Sequence, residues 1–222
     1  MKGGKGYRWM NIHRQDEDIP FRAGKMTTGV SGGASQRQIV LSIAGFDPSS
    51  GAGITADLKV FAAHGFYGMA CITALTVQST LGVRSVEPVS ASTVVATLRV
   101  LAEDTTFCGI KVGMLATAEI GGAVGEFLDS IPGIPVVLDP VLRSSSGREL
   151  LETAGIRVLQ GRLLARVDWI TPNREELAVL TGATVANRQD VPFAAERLKD
   201  GNSNAGQHRR PRQQPKTILQ EV

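Results

Sequence analysis

From Ile39 onward, apolar and polar positions fall into a regular order. Five continuous apolar runs read as buried strands: IVLSIAG from Ile39, YGMACITALTV from Tyr67, FCGIKVGML from Phe107, PVVLDPV from Pro135 and VDWITPN from Val167. VRSVEPV, from Val83, reads as a shorter strand. Between them lie stretches with helical spacing. ITADLKVFAAHG places Ile54, Leu58, Phe61 and Ala62 on one face, with Gly65 closing the helix. ASTVVATLRVLAED carries Val94, Leu98 and Leu101 on one stripe. ATAEIGGAVGEFLDS, the segment around LLETAGIRVLQGRLL, REELAVLTG (closing on Gly182) and VPFAAERLKD read as further helices. Strands that alternate with helices and are apolar throughout predict an α/β fold. The expected form is a doubly wound, mostly parallel sheet with helices on both faces. No internal repeat is apparent.

The flanks differ from this middle. Residues 1–38 are rich in Gly, Ser, Gln and charge without a sustained period, and read as a disordered N-terminal extension. Met26 is a second candidate for the start of translation. Residues 39–200 form the expected domain. Residues 201–222, GNSNAGQHRRPRQQPKTILQEV, read as a basic tail in which no apolar strand continues the array. Charge follows the same division, at +4 for residues 1–38, −4 for 39–200 and +3 for 201–222. A nucleic-acid-binding core concentrates positive charge on a folded face, so that class is not favoured. Arg209, Arg210, Arg212 and Lys216 lack interleaved aromatics and read as a solvated tail. No apolar run is long enough to span a membrane, and the N-terminus lacks the apolar core of a signal peptide. Cys71 and Cys108 sit inside apolar runs and read as reduced core residues of a cytoplasmic protein. His13, His64 and His208 have no metal-ligand spacing.

The candidate chemistry clusters at strand ends. The first strand runs into FDPSSGAGIT, a loop rich in Gly and Ser that opens a helix. It has neither the Lys of a Walker loop nor the glycine spacing of a dinucleotide fingerprint, so a plain strand-to-helix turn is an equal reading. Asp57 follows a few residues into the helix, near the strand ends where doubly wound proteins bind ligands. It reads either as a surface acid near the helix N-terminus or as a carboxylate turned into the crevice. Gln78 closes the second strand and Gly113-Met114 the fourth. Asp139 closes the fifth, and the sixth ends in TPNREE with Asn173 and Glu176 three apart. Asp139 and Glu176 suit a nucleotide-phosphate site that holds Mg²⁺ through water. Asn173 serves equally well as a helix N-cap. Lys111 reads as an ordinary polar strand residue as readily as a phosphate contact, and is not placed in the site. Trp169 reads as core.

AGFDPSSGAGITADLK, ITALTVQSTLGV, KVGML, VVLDPV and ITPNREE occur in that order. Together they resemble the hydroxymethylpyrimidine/phosphomethylpyrimidine kinases of thiamine biosynthesis, within the ribokinase-like superfamily, over roughly residues 39–200. The resemblance implies that the first loop shapes a pyrimidine pocket rather than an ATP phosphate cradle. Gly45, Asp57, Gln78, Met114 and Val141 would line that pocket, with Asp57 and Gln78 hydrogen-bonding the aminopyrimidine. Asp139, Asn173 and Glu176 would lie toward Mg²⁺ and ATP. ATP would phosphorylate the hydroxymethyl group and then the monophosphate. The partners implied are small molecules, with no nucleic acid and no membrane, and a homodimer.

The family pattern continues with a strand leading to a K-G-G-H-like segment, then G-T-G-C, whose amides form an anion hole. Neither occurs in this sequence. The resemblance therefore implies a C-terminally truncated kinase domain lacking the last strands and helices, with no catalytic residue to assign and an open sheet edge. The abrupt change after Asp200 reads as the mark of a frameshifted or truncated reading frame. Two alternatives stand beside the active kinase: a non-catalytic remnant that binds the pyrimidine, and a pyridoxal-type kinase.

Overall fold

The computed structural model describes residues 38–200 and 216–220. Expectations for residues 1–37, for Met26, and for His208 and the arginines at 209, 210 and 212 lie outside the described residues. Strand β1 (Ile39–Phe46) leads through the Gly/Ser loop into α1 (Gly53–Ala63). β2 (Tyr67–Ser79) turns tightly into β3 (Gly82–Pro88). Then come α2 (Ala91–Asp104), β4 (Gly109–Val112), α3 (Ala118–Ser130), β5 (Val136–Leu138) and α4 (Thr153–Val158), which continues as a wide helical turn over Leu159–Leu163. β6 (Trp169–Ile170), α5 (Arg174–Thr181), α6 (Val191–Asp200) and β7 (Lys216–Thr217) complete the order.

The seven strands form one sheet in the order β3-β2-β1-β4-β5-β6-β7. Every neighbour pair is parallel except β2 and β3. The α/β class with a mostly parallel sheet is thus the observed one. Side chains alternate along each strand. Leu41, Ile43, Ile110, Val112, Val136, Leu138 and Ile170 point to one face and join α2, α3, α5 and α6 in the main core. α1 lies on the other face, where Gly68 of β2 is so close that a Cβ there would stand 2.5 Å from Leu58. Ile54 of α1 is buried, while Ala62, expected on the same apolar stripe, is exposed.

Helix ends follow local chemistry. Ser90 and Thr117 cap α2 and α3 by accepting from the backbone N–H of Thr93 and Ile120. Gly182 closes α5 at φ 63°. The helix expected around Leu150–Leu164 begins only at Thr153, because Leu151 is engaged in an extended bridge to Ala116.

The reading that no strand follows Asp200 is corrected by β7. Ile218 donates to the Ile170 carbonyl and Gln220 to the Pro172 carbonyl, both at 2.8–3.0 Å, so residues 216–220 extend the sheet beside β6. The segment is too short to show a hydrophobic period, and its basic, Gln-rich approach masks the apolar pair Ile218-Leu219. Trp169, read as core, is only half-buried, and Lys216 of β7 places its ammonium 4.9 Å from the ring centre.

Candidate active site

At the C-terminal end of the parallel strands, the chain builds a loop, an apolar floor and a charged cluster. The loop is organised by Asp47, which is almost wholly buried. Its carboxylate accepts four hydrogen bonds: from the Ser49 amide and hydroxyl, each at 2.7 Å, from Gly51 N at 3.0 Å and from Ala52 N at 2.8 Å. Burial works to raise its pKa, but these donors outweigh that and hold the carboxyl below the ordinary value. Thr55 Oγ1 returns a bond to the Asp47 carbonyl at 2.8 Å. Gly53 opens α1 at φ 59°, and a Cβ there would stand 2.2 Å from the Gly45 carbonyl oxygen. The loop is therefore a compact strand-to-helix turn that satisfies itself with a carboxylate.

The floor is a second apolar cluster, separate from the main core. Ala74, Met114, Ala116 and Leu150 are buried there, with Val83, Val86 and Val141 packed around them. Met114 is held by its carbonyl, which accepts from the buried Thr73 Oγ1 at 2.5 Å. Gly45 adjoins the floor, since a Cβ at that position would meet Met114 Cε at 2.5 Å. The β2–β3 hairpin rises past this end of the sheet. On β2, Ala74, Thr76 and Gln78 share its inward face, while Leu75 and Val77 are exposed on the outer one. Thr76 Oγ1 ties the arm to the Phe46 carbonyl at 2.9 Å.

The charged cluster joins β1, α1, β4 and β5. Asp57 does point into the crevice. Its Oδ2 accepts from Ser42 Oγ at 2.6 Å and from Lys111 Nζ at 3.0 Å. Lys111 Nζ also lies 3.9 Å from Asp139 Oδ2. Ser42 and Lys111 are direct cross-strand neighbours, which is why they meet. Asp139 Oδ1 accepts from the side-chain amide of Gln220 at 3.2 Å. Burial raises the Asp139 pKa; Lys111 opposes the rise, Asp57 adds to it, and Gln220 opposes it.

Asn173 and Glu176 form a reciprocal cap on α5. Asn173 Oδ1 accepts from Glu176 N at 2.9 Å, and Glu176 Oε2 accepts from Asn173 N at 2.8 Å. Glu176 Oε1 takes the Leu142 amide at 3.4 Å. Burial pushes the Glu176 carboxyl up to about 7, against the help of the Asn173 amide. Both oxygens of Glu176 thus face backbone donors, while those of Asp139 face the side chains of Lys111 and Gln220.

Gly45, Met114 and Val141 therefore share one floor, and Gln78 stands on the arm beside it. Asp57 and Asp139 flank Lys111, and Asn173 and Glu176 brace the neighbouring helix. Sequence reasoning missed Ser42, Asp47 and Gln220, and it left Lys111 out of the site. The available signal was a single polar residue in each of two apolar strands, IVLSIAG and FCGIKVGML.

Against known proteins, residues 47–206 match the phosphomethylpyrimidine kinase family. The chain belongs to that family. It is 45% identical over 160 residues to the hydroxymethylpyrimidine/phosphomethylpyrimidine kinase of Aquifex aeolicus, covering 72% of this chain and 63% of that protein. The enzyme of the same name from Escherichia coli is 44% identical over 163 residues, covering 73% and 59%. The chain thus spans about 60% of the length of these curated relatives. The crystal structure of a Clostridium difficile phosphomethylpyrimidine kinase superposes with a TM-score of 0.72 at 34% identity, covering 82% of this chain and 74% of that one. A Staphylococcus aureus pyridoxal kinase solved with ADP superposes at 0.67 and 31% identity, covering 76% and 61%. These likenesses identify the ribokinase-like fold read from the sequence. Among the described residues no helix is long and apolar enough to cross a membrane, and no three His, Cys, Asp or Glu side chains gather as a metal cluster.

Proposed function

We propose that this chain is the pyrimidine-binding part of a kinase that phosphorylates 4-amino-5-hydroxymethyl-2-methylpyrimidine, and then its monophosphate, at the expense of ATP in thiamine diphosphate formation. The observation that carries the reading is Asp57. It is a carboxylate fixed by Ser42 and Lys111 beside a floor shared by Gly45, Met114 and Val141. A flat ring with methyl and amino substituents suits an apolar floor with one acceptor at its edge. In this reading Asp57 and Gln78 hydrogen-bond the aminopyrimidine, and Met114 and Val141 contact the ring.

The hydroxymethyl oxygen attacks the γ-phosphorus, the bond to the ADP oxygen breaks, and the hydroxyl proton passes to water. Of the two acids expected near the phosphates, Asp139 fits holding hydrated Mg²⁺ through water. Glu176 and Asn173 act behind it, fixing the start of α5 and the amide of Leu142. Bound Mg²⁺ would neutralise phosphate charge. The reading brings with it the cytoplasmic setting and the homodimer that the family resemblance implies.

The G-T-G-C pattern is not among these 222 residues, and losing even one donor of such an anion hole typically costs about 10²–10³ in rate. That favours binding without turnover as the second reading for these residues alone. A coupled ADP-release assay with ATP, Mg²⁺ and the pyrimidine alcohol separates the two. Turnover selects the complete kinase reading, and saturable pyrimidine binding without ADP release selects the second. A chain that phosphorylates pyridoxal and ignores the pyrimidine overturns both.

A further inference from the structure

The two oxygens of Asp57 have different surroundings. Oδ2 accepts from Ser42 Oγ at 2.6 Å and from Lys111 Nζ at 3.0 Å. Among the described residues, Oδ1 has no hydrogen-bond partner. Both donors are set by the sheet, Ser42 on β1 and Lys111 beside it on β4. Ser42 is fully buried in β1. Lys111 reaches both acids, its ammonium 3.0 Å from Asp57 Oδ2 and 3.9 Å from Asp139 Oδ2.

We infer that Ser42 and Lys111 are positioning residues that lock Asp57 in one orientation, and that this lock sets the preference of the site for a ring edge bearing an amino group. The inference rests on the reading that Asp57 meets the pyrimidine. A free carboxylate facing an apolar substituent can turn and find water. A locked one cannot, because turning would break two hydrogen bonds at Oδ2, one of them to a cation. An analogue without the donor then leaves Oδ1 buried and unpaired, and an unmade bond at such a site is what discriminates strongly. The cluster also explains why a lysine stands in a buried strand. One ammonium between two carboxylates offsets the like charge that would otherwise push Asp57 and Asp139 apart.

The test is calorimetric titration of the full chain with two probes, 4-amino-5-hydroxymethyl-2-methylpyrimidine and the analogue with methyl in place of the 4-amino group. Wild type should prefer the amino compound by roughly a hundredfold or more. Ser42→Ala and Lys111→Met should each reduce that ratio about tenfold, because the unlocked carboxylate can turn away from the methyl group. Ser42→Ala removes one oxygen from a sheet position and keeps the test readable if Lys111→Met does not fold. An unchanged ratio in a folded variant, with both affinities falling together, assigns the pair a purely structural role and overturns the inference. Asp57→Ala separates the two levels. If it leaves the wild-type ratio intact, Asp57 does not meet the amino group, and the underlying reading fails together with this one.

Discussion

Glu176 makes the stability of this protein depend on pH in a direction opposite to most carboxylates. It is buried, and its carboxyl titrates near 7 in the folded chain instead of 4.5. Between those values the folded state holds a proton that the unfolded chain has released. Stability therefore falls as pH rises through that window, and is greatest below the unfolded value. Carried through the linkage relation, the loss amounts to about 3 kcal/mol by pH 8, a large share of the roughly 5–15 kcal/mol typical of a domain. The charged form is disfavoured chiefly by desolvation, with Asp139 adding repulsion. Glu176→Gln keeps the shape and cannot ionise. Urea denaturation of both proteins from pH 4.5 to 8 checks this. The difference in stability between variant and wild type should shift in the variant's favour by about 3 kcal/mol across the range. A weakened cap adds only a constant offset, because Gln cannot serve both the Asn173 and Leu142 amides as acceptor. A pH-independent difference would mean that Glu176 does not bind its proton more tightly in the folded chain than in the unfolded one.

Other outcomes follow from the loop. Asp47→Asn turns an amide N–H₂ toward the Gly51 and Ala52 amides, so donors face donors; it should cost about 2 kcal/mol in urea denaturation, and a change below about 0.5 kcal/mol would contradict the four-bond arrangement. Because the Asp47 carboxyl is held below its ordinary value, its contribution is present above pH 4 and lost on acidification, and Asp47→Asn should flatten the acid limb of the stability curve. Gly53→Ala places a Cβ against the Gly45 carbonyl at a positive φ. It should lower stability by about 2 kcal/mol or more and weaken pyrimidine binding at the same time, both measurable on one preparation.

The fold was legible where the chemistry is repetitive. Leu41, Ile43, Val112, Leu138 and Ile170 are buried because parallel strands covered by helices are apolar along their length, and that pattern is visible without coordinates. Gly182 and the N-x-x-E of Asn173 and Glu176 announce the ends of α5 in the same local way. Three features were not legible. β7 offers too few residues for a period to show. Asp47 reads as one turn residue among several, since nothing in D-P-S-S says that four donors will converge on it. Ser42, Lys111 and Asp57 are far apart in sequence, and only strand register and the placement of α1 bring them to one point. Candidate site residues at strand ends can be named from motifs; the residue that holds them in place comes from pairing across the sheet.

Titration of the pyrimidine alcohol and of pyridoxal into the full chain shows whether Asp57 holds the pyrimidine. Saturable one-to-one binding of the pyrimidine alcohol is expected, with loss of that binding in Asp57→Ala and weaker binding of pyridoxal. Pyridoxal binding as tight as the pyrimidine, or pyrimidine binding unchanged by Asp57→Ala, would contradict this expectation.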